Sequence, residues 1–294
     1  MAGTALYRSR HKEYNDREKL MKGKKVTIIL LIVFFIGLSV LLYPTISSFW
    51  NSKTQSEAIL DYEKMLASYE PEDFTALFED ADAYNKKLLA LDFPLHEYQK
   101  IEDEYWKTLD ITGTGMMGYI NVPKISQELP VYHGTSDDVL SMAVGHFQGS
   151  SLPVGGKGNH CVVSAHRGLP TATLFTYLDR MEVGDTFYFT ILDRTLTYEV
   201  DQIRIVDPDD TSLIQAEKEK DYCTLLTCTP YGINTQRLLV RGHQVDMTQE
   251  RSLYVVNEAY RIDTLIVTPF VALPIIVILL IYVMFKPIKK DRFE

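Results

Sequence analysis

The chain has 294 residues, 46% of them hydrophobic, with a formal net charge of −9. That length holds one good-sized domain plus appendages. It contains no P-loop, no Rossmann glycine pattern and no paired-carboxylate motif, which excludes the commonest nucleotide and dinucleotide chemistries.

Residues 1–25 hold eight Lys or Arg against three acids. An uncharged block follows, Val26 to Tyr43 (VTIILLIVFFIGLSVLLY), and a second, Thr264 to Phe285 (TLIVTPFVALPIIVILLIYVMF), lies near the end. At the helical rise these reach roughly 27 Å and 33 Å, close to the ~30 Å hydrocarbon core of a bilayer, so both read as membrane helices. A cleaved signal peptide is the rival reading of the first block, but its apolar run usually stops at about 7 to 15 residues. Pro269 and Pro274 in the second are tolerated where the freed backbone groups find partners. Residues 286–294 hold four basic side chains against two acids. Both tails therefore face the cytoplasm, and residues 44–263 lie outside. With +5 and +2 in the tails out of −9, that outer segment carries −16. Such an acidic surface argues against a nucleic-acid partner. Three cysteines, an odd number in an oxidising compartment, leave at least one unpaired within the chain.

The outer segment opens helical. Ile59, Tyr62, Leu66 and Tyr69 recur at three- or four-residue steps, as do Phe74, Leu77, Ala81, Tyr84 and Leu88 after Pro71, and then Tyr98, Ile101, Tyr105 and Leu109. Between the second and third runs Leu91-Asp92-Phe93-Pro94-Leu95 forms a short non-helical insert. The glycine-rich stretch 112–118 marks a boundary near residue 115. Beyond it, over 116–250, short alternating segments predict strands at 118–122, 161–165, 186–192, 196–205, 222–228 and 237–241, a sheet closed into a barrel or sandwich. A helical turn or two is expected around 171–181, and residues 251–263 lead into the second span.

Cys228 ends the strand 222–228 and is followed by Thr229-Pro230, which must leave the strand. Side-chain alternation gives it the face of Tyr222, Thr224 and Leu226, while Cys223 points the other way, about 16 Å off along an extended strand and out of disulfide reach. His166 also sits where a strand opens into a loop. An imidazole there can lower the thiol's pKa and return a proton to a leaving amine. Arg237, nine residues after Cys228, can come back beside the thiol through a hairpin, with donors suited to an oxyanion or carbonyl. Cys161 and Cys223 read as small buried apolar residues. His133, His146, His160 and His243 lack metal-type spacing and read as structural or surface residues.

The run Thr224-Leu225-Leu226-Thr227-Cys228-Thr229-Pro230-Tyr231-Gly232, continuing to Arg237 and Gly242, closely resembles the signature of the sortases. Ser164-Ala165-His166-Arg167-Gly168 resembles their histidine segment. The stretches 129–135 (LPVYHGT) and 145–156 (GHFQGSSLPVGG) look like the pilin-polymerising class C branch, as does the second span. The resemblance implies a mainly β fold, a closed eight-stranded sortase barrel with an N-terminal helical and lid segment and two flanking transmembrane helices. It implies Cys228 as nucleophile, His166 as general acid and Arg237 as substrate or oxyanion stabiliser, with no cofactor and no metal. The expected reaction cleaves an LPxTG-like sorting signal at Thr–Gly and hands the thioester to a pilin lysine. The expected location is a two-pass cell-membrane protein of a Gram-positive bacterium with its catalytic domain outside. The partners expected are pilins or surface proteins bearing C-terminal sorting signals. A wall-anchoring sortase with a peptidoglycan amine as acceptor, a cysteine peptidase that hands the thioester to water and a silent sorting-signal-binding scaffold are the alternatives. The usual lid order, Asp-Pro-aromatic, is replaced here by Asp92-Phe93-Pro94, with Asp92 and Phe93 expected to plug the cleft.

Overall fold

The computed structural model describes residues 2–245 together with Ile276 and Ile278, which are helical. The expected linker 251–263, most of the span 264–285 and the tail 286–294 lie outside the described residues. The chain divides into two compact units, Met1–Ile46 with Arg261–Glu294, and Ser47–Tyr260.

A single helix, α1 (Ala2–Leu66), carries the first apolar block and runs on through Pro44. Its stretch Lys25–Leu66 is long and apolar enough to cross a membrane, the one such helix among the described residues. Ile28, Leu30, Ile32, Val33 and Ile36 are each more than half exposed. A stripe of that size suits an apolar solvent rather than water.

Within the second unit the end of α1 packs down. Ile59 and Tyr62 bury with Met116, and the Tyr62 hydroxyl donates to the Met117 carbonyl at 2.7 Å while accepting from the Leu192 amide at 2.9 Å. Helix α2 (Pro71–Leu89) starts with proline in its first turn, where the missing N–H costs nothing. Asp73 accepts from the Glu70 amide at 3.0 Å, half of a capping box. Its buried face is Phe78, Ala81, Tyr84, Asn85 and Leu88. Phe74 and Leu77, expected on that face, are only partly buried. Asn85 bonds both the amide (2.7 Å) and the carbonyl (3.2 Å) of Leu152, tying the helix to the barrel. Two single turns, α3 (Pro94–Glu97) and α4 (Glu102–Tyr105), lead into the sheet.

Eight strands close a barrel in the order β1-β2-β3-β4-β7-β8-β6-β5. They are β1 (Met116–Val122), β2 (Gln127–His133), β3 (Val144–His146), β4 (Asn159–Ser164), β5 (Thr186–Ile191), β6 (Arg194–Val206), β7 (Asp221–Thr229) and β8 (Gln236–Val245). Closure leaves no open sheet edge. The pairs β2–β3 and β4–β7 are parallel. Between β2 and β3 a short helix, α5 (Asp137–Met142), is capped by the Ser136 hydroxyl accepting from the Val139 amide. The barrel interior is filled by Ile120, Val131, Val163, Phe187, Phe189, Tyr198, Leu225 and Val240, all at 1% exposure or less. Each such side chain contributes roughly 1.5–3 kcal/mol on burial. The helix expected around 171–181 is only a 3-10 turn, Leu178–Arg180, because Pro170 precedes it and Leu174 takes a left-handed φ of 42°.

Candidate active site

The alternation of β7 sets two different surfaces. Cys223 and Leu225 enter the barrel core. Leu226 lies on the outer wall with Val162, Ile214 and Leu239. Cys228 falls on that outer wall, so it opens onto the flank of the barrel and not into its mouth. Its cross-strand partner is Arg237, which makes the hairpin expected from the nine-residue spacing.

His166 arrives by a different route. In the parallel pair β4–β7 the register holds from Asn159 opposite Asp221 to Ser164 opposite Leu226. Carried two residues on, the same register sets His166 beside Cys228. Two bonds extend it: the Ala165 amide donates to the Leu226 carbonyl at 3.2 Å, and the Thr227 hydroxyl donates to the Ala165 carbonyl at 2.8 Å.

All three residues line one groove of about 330 Å³. Its floor is apolar, with Leu226 and Leu239 from the wall and Phe147 from the loop after β3. One side comes from the β6–β7 connection, through Pro208, Asp210, Thr211 and Ile214. Cys228 and His166 are partly exposed, and neither side chain has a hydrogen-bond partner among the described residues. The Arg237 guanidinium donates through Nη1 to the carbonyls of Asn234 (3.3 Å) and Gln236 (3.1 Å). It has no ion-pair partner among the described residues, so its remaining donors are open to a ligand oxygen. A thiol, an imidazole and a fixed cation on one apolar groove can form an acyl-sulfur bond, move its proton and hold its oxyanion.

Reading the residues one by one misses Arg167. Its side chain is only 8% exposed and pairs with Asp179 at 2.6 Å. The second terminal nitrogen donates to the Thr229 hydroxyl at 3.3 Å, and the guanidinium lies 5.8 Å from the Tyr231 ring centroid. The residue after the histidine thus grips the residue after the cysteine. Gly168 completes the fit: its φ is 78°, and a Cβ there would meet the Tyr231 ring at 3.0 Å.

The other candidates stand apart from the groove. Cys161 and Cys223 are cross-strand neighbours, buried and free. His133, His146 and His160 are buried and hydrogen-bonded. His160 is held as a neutral tautomer, its Nδ1 on the Gln215 carbonyl and its Nε2 on the Thr224 hydroxyl, and burial lowers its pKa. Asp92 is exposed and Phe93 is 67% exposed, and neither lines the groove. Leu95 is the residue of that insert which packs against the outer-wall cluster of Val162, Ile214 and Leu239.

A closed barrel whose flank carries a cysteine, a histidine and an arginine in one groove is the frame of a cysteine acyl-transfer enzyme. A sortase domain model matches residues 120–245. Sortase C1 of Streptococcus agalactiae superposes with a TM-score of 0.62 at 47% identity, covering 65% of this chain and 98% of that one. Sortase C of Streptococcus pneumoniae gives 0.57 at 40%, covering 65% and 97%. Sortase D of Bacillus subtilis (strain 168) is 35% identical over 131 residues, 44% of this chain and 63% of that protein. The chain thus spans somewhat less than two thirds of that curated relative. It belongs to the sortase family of cysteine transpeptidases, and its structural neighbours are class C sortases.

Proposed function

We propose that this protein is a pilin-polymerising sortase, with Cys228 as nucleophile, His166 as general acid and base, and Arg237 as oxyanion donor. The observation that carries the reading is the groove on the outer wall that these three side chains share, with the β6–β7 connection on one side and Leu226, Leu239 and Phe147 among its lining. The likeness to class C sortases supports the pilin assignment, since the Streptococcus pneumoniae enzyme was solved with its pilin substrate specificity in view.

In the first half-reaction the Cys228 thiolate adds to the threonine carbonyl of an LPxTG-like signal. Arg237 donates to the developing oxyanion, His166 protonates the departing glycine amine, and the C–N bond breaks to leave a thioester. In the second, a lysine amine attacks the thioester, its proton passes to His166, and the C–S bond breaks to return the thiolate. One amide replaces another, with no net oxidation and no cofactor. Residues 116–250 form the catalytic domain in this reading, and 44–115 its helical and lid segment. Leu95 anchors the insert against the outer wall, while its Asp92 and Phe93 are exposed and do not line the groove. Spans at 26–43 and 264–285 hold both termini in the cytoplasm and the catalytic domain outside.

The test is product analysis. The full chain in detergent is incubated with a sorting-signal protein and a pilin carrying its acceptor lysine. Covalent ladders are the expected outcome. Hydrolysis alone with the lysine present contradicts the reading, and transfer only to a peptidoglycan amine assigns a wall-anchoring enzyme instead.

A further inference from the structure

The groove around Cys228 is lined by three charged or titratable side chains besides the thiol: His166, Arg237 and Asp210. The first two serve the acyl half of the reaction. Asp210 has no part in it, yet it is the one carboxylate among the described residues lining this groove.

Its placement is built by the local chain. The turn Asp207-Pro208-Asp209-Asp210 leaves β6, and the Asp210 carboxylate accepts from the Ser212 amide at 3.0 Å, opening the 3-10 turn Ser212–Ile214. Hydrogen bonding from Ser212 holds the carboxyl below its ordinary pKa, so it is anionic at neutral pH. No Lys or Arg among the described residues pairs with it, Arg237 included, although both line the same groove. Asp207 and Asp209, on the same turn, do not line it. Val206 and Ile214 supply apolar surface on the same side. A carboxylate set beside apolar walls fits an ammonium group on a methylene stem.

We propose that Asp210 is the docking carboxylate for the acceptor, a lysine ε-ammonium of the incoming protein. This rests on the transpeptidase reading above and adds to it the group that selects the second substrate. After acylation His166 has given its proton to the departing amine and is neutral. An ammonium held at Asp210 loses one proton to solvent, and the freed amine attacks the thioester carbonyl, passing its second proton to His166 as the C–S bond breaks to return the thiolate. Water needs no such dock, so the carboxylate favours transfer over hydrolysis.

The experiment uses the full chain in detergent with a sorting peptide as donor. Two nucleophiles are compared, a lysine-containing peptide and hydroxylamine, which is uncharged at neutral pH. D210N and D210S are the variants, because Asn and Ser both keep an oxygen to accept from the Ser212 amide. The expected result is a rise of about fivefold in the ratio of the lysine-peptide KM to the hydroxylamine KM, the scale of an exposed ion pair. The wild-type KM for the lysine peptide should also rise with ionic strength, and this dependence should flatten in both variants. D207N and D209N should match the wild type. A ratio in D210N and D210S equal to that in D209N overturns the proposal while leaving the transpeptidase reading intact. Absence of any thioester in the wild type overturns both.

Discussion

Strand β7 carries two cysteines five residues apart, and the two faces of one sheet give them opposite chemistry. Cys223 sits in the barrel interior at 0% exposure beside Cys161, where burial pushes its thiol pKa well up. Cys228 sits on the outer wall in a groove with an imidazole and a guanidinium. Residue type does not separate the two. The parity of the strand and the neighbours delivered by β4 and β8 do.

The comparison breaks most sharply by substitution. C228A should remove sorting-peptide cleavage, a loss of at least about 10³-fold, since no other thiol lines the groove. C223A should keep activity within a few-fold and instead lower the unfolding free energy by about 1 kcal/mol, read by denaturant titration. Comparable activity losses in the two would dissolve the distinction. Next come the groove partners. H166A is expected to cost roughly 10²–10⁴ in kcat and R237A roughly 10²–10³, measured by peptide cleavage.

Arg167 sharpens the account further, because it acts through others. R167A removes the link from the histidine loop to Thr229 and Tyr231, and should lower kcat by roughly 10- to 100-fold as the thiol–imidazole geometry loosens. The KM for the sorting peptide should change little, and the pH dependence of Cys228 alkylation should shift. R167K, which keeps the charge but not the fork, should recover only part. A loss confined to thermal stability, with unaltered alkylation, would make Arg167 a purely structural residue.

The smallest effect concerns the outer wall under acid. His160 ties the β6–β7 connection to β7 as a neutral ring, and burial lowers its pKa from the ordinary 6.5. A depressed folded-state pKa means that the unfolded chain binds the proton first. The stability is present above pH 6.5 and declines as the pH falls below it. Thermal melts at descending pH should show that decline, and H160Q should lessen it. Equal acid sensitivity in H160Q would place the effect elsewhere.

Much of the site was legible because its evidence is contiguous. Cys228, Pro230 and Arg237 lie within one hairpin, so strand parity and loop length set their relation. His166 was legible only as a residue at a strand end, since its partner strand lies 62 positions on. Arg167 was not, because its partners Asp179, Thr229 and Tyr231 come from separate segments. Strands β2 and β3 escaped the alternation pattern, one interrupted by Pro130 and the other three residues long. The first two helical segments were legible, but not that the first continues unbroken through Pro44, while the third, expected to run from Tyr98 to Leu109, is only a 3-10 turn and one α-turn, with Leu109 at a left-handed φ of 67°. The insert at 91–95 is non-helical only over 91–93, because Pro94 and Leu95 open a helical turn, and its contact with the outer wall runs through Leu95, which depends on packing that no local pattern encodes.

The central claim is that Cys228 is the acylated atom. Intact and peptide-level mass spectrometry of the full chain, quenched in acid after brief exposure to a sorting-signal peptide, tests it most directly. The account predicts one acyl adduct, equal in mass to the peptide up to its threonine, on Cys228 and absent from Cys161 and Cys223. Cleavage of the peptide without an adduct on Cys228, or an adduct on either buried cysteine, would contradict it.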